Sequence, residues 1–177
     1  MLKKSTTWEK CTMKQQGATL IQLSLALAIA TGLALLGVTA YGQLREDLQL
    51  SIAARDLAQA LRHARNYAVL HDESMLLEAL EGDWGKGWQT LRVGDGQLLQ
   101  ERRLSRPLRI FSNGGKQVRF SALGIPLKPG EAFYAATLHL CRGARSEHQV
   151  MIASSGRIRL DTGAVSTPLC AAGPLQQ

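Results

Sequence analysis

The chain has 177 residues, with 21 Lys and Arg against 14 Asp and Glu and a formal charge of +7. That length holds one ordinary domain plus an appendage and excludes two full domains. Apolar residues make up 45% and aromatics only 5%, so any core is built mainly from Leu, Ile, Val and Ala.

Charge changes sign along the chain. Residues 1–17 carry Lys3, Lys4, Lys10 and Lys14 against Glu9, a sum of +3. Residues 45–99 sum to −3, and from Gln100 onward the sum is +7, opposed only by Glu101, Glu131, Glu147 and Asp161. A one-sided basic surface attracts nucleic acid or anionic lipid, or is simply a solvated face without a partner.

The stretch from Ala18 to Gly42 has no charged residue over 25 positions, long enough to cross a bilayer as a helix that satisfies its own backbone. Lysines before it, and the mixed Arg45-Glu46-Asp47 after it, orient the N-terminus to the cytoplasm. An ordinary secretory signal fits poorly, because its apolar region spans about 7–15 residues and ends in a small-residue cleavage site. Directly upstream stands Lys14-Gln15-Gln16-Gly17, followed by Ala18-Thr19-Leu20-Ile21-Gln22-Leu23.

This segment resembles the type IV prepilin signal, a short basic leader that ends in glycine and is cut before the apolar helix. The resemblance implies that residues 1–17 are a leader removed by prepilin peptidase between Gly17 and Ala18. It implies that 18–42 is first a transmembrane anchor in the inner membrane, single-pass with a periplasmic C-terminal domain. The same helix later becomes the core of a pilus fibre, packed against other pilins, with the subunit in the fibre or at its tip on the cell surface. Two positions depart from the family. Ala18 stands where Phe is usual, and Gln22 stands where a Glu usually pairs with a subunit's amino terminus during assembly. A glutamine can hydrogen-bond but cannot neutralise an ammonium. Met13 to Gly17 has by itself the length of such a leader, which makes Met13 an alternative start.

From Leu44 to His71 apolar residues recur at helical spacing: Leu44, Leu48, Ile52, Leu57, Leu61, Ala64 and Ala68. Arg55, Asp56, Arg62 and Arg65 fall mostly elsewhere around the wheel. Residues 43–71 therefore continue the helix and lie against a globular domain. After His71 the pattern changes to short segments: Met75–Leu80, Trp88–Val93, Gln97–Arg102, Leu108–Phe111, Val118–Ser121, Phe133–Cys141, Gln149–Ala153 and Arg157–Leu160. Turns such as Gly94-Asp95-Gly96, Asn113-Gly114-Gly115, Pro129-Gly130 and Ser155-Gly156 separate them. The expectation is an α+β protein: a long helix, its first half membrane-embedded, packed on a β-rich domain over 72–163. That domain holds antiparallel strands in one sheet or, as the pilin resemblance favours, two small ones. Residues 164–177 read as an irregular tail.

Cys11, Cys141 and Cys170 have no CxxC and no zinc spacing. With the leader removed, Cys141 and Cys170 remain. They form a disulfide in an oxidising compartment, or they are two unrelated buried thiols.

A narrower resemblance lies in Trp84-Gly85-Lys86-Gly87-Trp88, which is similar to the W-x-x-G-W element of the GspH/FimT group of minor pilins and pseudopilins. Cys141-Arg142-Gly143-Ala144-Arg145 and the segment ending Gly156-Arg157-Ile158-Arg159 resemble the FimT C-terminal region with its G-R-x-R signature. The resemblance implies that double-stranded DNA is bound without sequence specificity during natural transformation. The residues suit that role. Arg157 and Arg159 would share one face of a strand, Gly156 permits a tight turn and close approach of a phosphate, and two guanidiniums can hold successive phosphates. Arg142 and Arg145 would add to the patch. Arg102, Arg103, Arg106 and Arg109 read as a solvated face, and Trp84 and Trp88 as core plugs more readily than base-stacking platforms.

No catalytic arrangement is present in the sequence. His63, His71, His139 and His148 lack metal spacing, Gly82 to Lys86 is not a phosphate loop, and no cofactor is expected. The remaining alternatives to a DNA-binding minor pilin are a structural minor pilin that primes pilus assembly and a minor pseudopilin of type II secretion.

Overall fold

A computed structural model describes residues 20–128 and 133–171, with side chains at 35–40 and 43 left aside. The leader, the Gly17–Ala18 processing site, the Pro129-Gly130 turn and the last six residues lie outside the described residues. The chain divides into two compact units at Leu44/Arg45.

The elements follow in chain order: α1 (Leu20–His71), β1 (Met75–Ala79), β2 (Gly87–Arg92), β3 (Leu98–Arg103), β4 (Arg109–Ser112), β5 (Gln117–Phe120), β6 (Pro126–Leu127), β7 (Ala136–Arg142), β8 (Arg145–Ile152), β9 (Ile158–Asp161), β10 (Val165–Ser166) and α2 (Pro168–Ala171). The expected α+β architecture with two antiparallel sheets is present.

In the first unit, large apolar side chains of α1 are exposed on all sides, including Leu20, Ile21, Leu23, Leu25, Leu27, Ile29 and Leu33. Ser24 and Thr31 turn their hydroxyls back to the carbonyls of Ile21 and Leu27. The expectation of a membrane-embedded first half is corrected here. Among the described residues no helix is long and apolar enough to cross a membrane. The run with described side chains, Leu20 to Ala34, contains Gln22, Ser24 and Thr31. The single-pass inner-membrane placement, and the reading of 18–42 as a transmembrane segment, are corrected on the same finding.

In the second unit, α1 from Arg45 onward presents Leu50, Ala53, Ala54, Leu57, Ala58, Leu61, Ala64 and Ala68 to the core, all buried. Their spacing follows the 3.6-residue period, and the small alanines let the sheets approach the helix closely. Leu44, Leu48 and Ile52, which the sequence pattern put on the core face, are instead more than half exposed. The helix ends at Asp72, which takes a left-handed φ of 53°, and Glu73 N–H donates to the Ala68 carbonyl at 3.1 Å. This is the Schellman closure, which glycine fills at lowest cost. Asp72→Gly is expected to raise stability by about 0.5–1 kcal/mol, read as a higher urea midpoint with unchanged slope.

One sheet has the order β3-β2-β1-β5-β6, the other β10-β8-β7-β4, with β9 also on β8. A single core cluster joins the helix to both sheets: Met75, Leu77, Trp88, Val118 and Phe120 from the first, Ile110, Leu138, Leu140, Val150 and Ile152 from the second. The C-terminal region is more ordered than its composition suggests. Val165 and Ser166 pair with Ser146 and Arg145 of β8, and α2 follows. The Cys141–Cys170 disulfide is formed, with Cα atoms 5.6 Å apart. It fixes α2 to β7, and Arg109 adds to this by donating to the carbonyls of Gly143 and Cys170.

Candidate functional site

The G-R-x-R segment sits on the hairpin between β8 and β9. Gly156 N–H donates to the Ala153 carbonyl at 2.8 Å, and Ala153 N–H to the Arg157 carbonyl at 2.9 Å. Gly156 has φ +79°, so the loop is a type I turn closed by a glycine in the left-handed region. The close approach at Gly156 is internal. A Cβ there would collide with the Gly124 carbonyl oxygen and with Arg65 Nε.

Arg159 is the register partner of Met151, and Met151 of Thr137. The core side of these strands is taken by Ala136, Leu138, Val150 and Ile152, so Arg159 leaves the opposite face. Arg157 and Arg159 are both exposed, and neither has an ion-pair or hydrogen-bond partner among the described residues. With Asn113, Thr137 and Met151 they line a shallow groove of about 360 Å³. Two adjacent guanidiniums with free forks can hold oxyanions on one strand of a polymer or on a surface.

Arg142 and Arg145 are not brought into this patch. They face each other across the β7–β8 hairpin, at the far end of β8. The six residue steps from Arg145 to Met151 put about 20 Å between the two pairs. Arg142 also forms an ion pair with Asp47 of α1 at the surface, whereas Arg145 is exposed. Gln22 is exposed on α1.

Most of the remaining arginine run is engaged within the chain. Arg102 pairs with Asp56 at 2.8 Å, Arg103 with Glu101 and Glu81, and Arg109 with backbone carbonyls. Trp84 and Trp88 are buried, and Trp84 Nε1–H donates to the Gly115 carbonyl at 2.9 Å. Both are core residues, out of reach of a base. Among the described residues no group of three His, Cys, Asp or Glu side chains could hold a metal ion.

The sequence pattern gave Arg65 only as a charge off the core face, and in the fold it lies against the Gly156 turn. It flanks the core face, four residues after Leu61 and three before Ala68, both buried. That position was a readable signal that its stem is covered and its head directed.

Two histidines of the second sheet titrate below the usual imidazole range. Burial holds His139 down. Burial also holds His148 down, with Arg55 and Arg142 adding to it and Glu147 opposing. The unfolded chain protonates first, near pH 6.5, so this stability is complete above that pH and is lost as pH falls below it. The melting temperature is expected to fall between pH 7 and pH 5, and to fall less in His139→Gln/His148→Gln.

A helix that packs on two antiparallel sheets from Leu50 onward and exposes apolar side chains between Leu20 and Leu33 is a pilin-like fold. The profile of a known family, described as "Type II transport protein GspH", matches residues 53–156. The chain belongs to the GspH family. Two crystal structures of the Pseudomonas aeruginosa type IV minor pilin FimU share its fold. One, in space group P21, aligns with TM-score 0.57 at 23% identity, covering 71% of this chain and 97% of that one. The other, in space group P65, aligns with TM-score 0.53 at 23% identity, covering 68% and 98%. No curated protein has a significant sequence match.

Proposed function

We propose that this chain is a structural, non-enzymatic minor subunit of a pilin-class fibre, held by the N-terminal helices of other pilins. One observation carries the reading. Leu20, Ile21, Leu23, Leu25, Leu27, Ile29 and Leu33 are 56–84% exposed around the helix. A helix apolar all round is a buried helix in its working state, and neighbouring pilin helices supply a matching cover. The family description names type II transport and the solved structures are named type IV minor pilins, so both fibre types belong in one experiment. Fibres sheared from cells that make the protein are expected to contain it, and its deletion is expected to reduce fibre number. Absence from purified fibres, with fibre number unchanged on deletion, contradicts the reading.

A second reading rests on the exposed, unpartnered pair Arg157 and Arg159. These would bind duplex DNA through phosphates, as the G-R-x-R resemblance implies, in the manner of a FimT-type subunit in DNA uptake. Phosphate contacts are salt-sensitive and indifferent to sequence. The full chain is compared with Arg157→Gln/Arg159→Gln at two salt concentrations. Salt-sensitive binding that the double variant loses supports the reading; no binding at low salt removes it.

A further inference from the structure

Two hairpins, one from each sheet, meet at a single helix side chain. The β5–β6 hairpin has the same form as the β8–β9 hairpin. Gly124 N–H donates to the Ser121 carbonyl at 2.8 Å, Ser121 N–H to the Ile125 carbonyl at 2.9 Å, and Gly124 has φ +72°. The half-buried Arg65 of α1 donates through Nε–H to the Gly124 carbonyl at 3.1 Å. That carbonyl oxygen and Arg65 Nε, the latter at 2.8 Å, occupy the space a Cβ on Gly156 would need. The Arg65 guanidinium therefore lies against the turn that precedes Arg157. An arginine fixed through Nε is a rigid planar contact, which a lysine cannot reproduce.

We propose that Arg65 is a positioning residue for the Arg157–Arg159 pair. By holding the Gly124 carbonyl against Gly156 it fixes the Ala153–Gly156 turn, and with it the approach of the two guanidiniums. Arg65 acts through the turn and does not itself touch the ligand. The inference rests on the DNA-binding reading for the consequence, and on the turn geometry for the cause.

The test measures both, on the full chain. In Arg65→Gln, amide hydrogen exchange at Ala153, Gly156 and Gly124 is expected to quicken about tenfold or more, with core amides of β7 unchanged. At low salt, binding of a duplex oligonucleotide is expected to weaken about tenfold in the wild-type background, and whatever residual binding Arg157→Gln/Arg159→Gln retains there is expected not to weaken further, since residues acting through one another are non-additive. Unchanged exchange at these amides overturns the proposal. So does an equal loss of affinity in the double-variant background, which would make Arg65 a direct contact. If the wild-type chain ignores DNA, the DNA reading falls, and the exchange measurement alone decides whether Arg65 positions the turn. Should Arg65→Gln not fold, Arg65→Lys, which keeps the charge without the Nε–H, is read in the same way.

Discussion

Replacing both Cys141 and Cys170 by Ala is expected to lower unfolding stability by about 3–4 kcal/mol, from the chain-entropy cost of a loop of that size. The bridge spans 29 residues of sequence and ties down a C-terminal segment with few other attachments. Its four-residue helix α2 buries Cys170 and is otherwise held by Arg109 at the Cys170 carbonyl. β10 contributes two residue pairs. Urea unfolding of the oxidised chain against the double variant reads the difference. Faster amide exchange should appear first in residues 165–171. A difference below about 1 kcal/mol would mean that the unfolded chain is already constrained there, since the stabilisation acts through the unfolded state.

Trp88→Ala is expected to cost about 3–5 kcal/mol, the range for removing a large aromatic from a packed core. Trp88 is 2% exposed and lies in β2 between Ala79 of β1 and Arg102 of β3. Gly87 beside it lets β3 approach closely. Gly87 has φ +136°, and a Cβ there would collide with the Arg102 carbonyl, so the chain can turn into β2 only with glycine at this position. Trp88→Phe keeps most of the volume and should cost clearly less. Equal losses in the two variants would show that the indole's shape, and not its burial, sets the stability.

Much of the fold was legible because its signals are local. Turn residues bracket β1, β2, β7 and β9, and the strands fall within a residue or two of the expected segments, except at the starts of β7 and β8; β8 begins at Arg145, four residues before the expected Gln149. The helix end at His71 follows from the loss of helical period. What the pattern did not give is tertiary. Leu44, Leu48 and Ile52 have helical spacing but face outward, because the sheets pack on the alanine-rich side at Ala53, Ala54 and Ala58. Small residues carry little weight in a hydrophobic pattern, yet they permit the closest packing. β6 and β10 have two residues each, too short for any period.

The candidate site was legible in part for the same reason. The alternation of Arg157 and Arg159 gives their shared face, and their exposure follows from Ile158 and Leu160 turning to the core. Arg142 and Arg145 seemed to belong with them only because nothing in a linear sequence records that β8 separates the pairs by its length. Gly156 was read as making room for a ligand; in the fold it makes room for Gly124 and Arg65. The apolar N-terminal run read as a membrane span, and the described helix is not long and apolar enough for one. Its exposed leucines still require a cover, and the fibre reading supplies it.

The most direct measurement places a photo-crosslinking residue at Leu25 in the full chain, in cells that make the protein, with Asp95 in an exposed turn as control. Crosslinks from Leu25 to the N-terminal helices of other pilin-class subunits, identified by mass spectrometry and weak or absent from Asp95, are the predicted result. Leu25 crosslinks that never include a pilin-class helix would contradict the account.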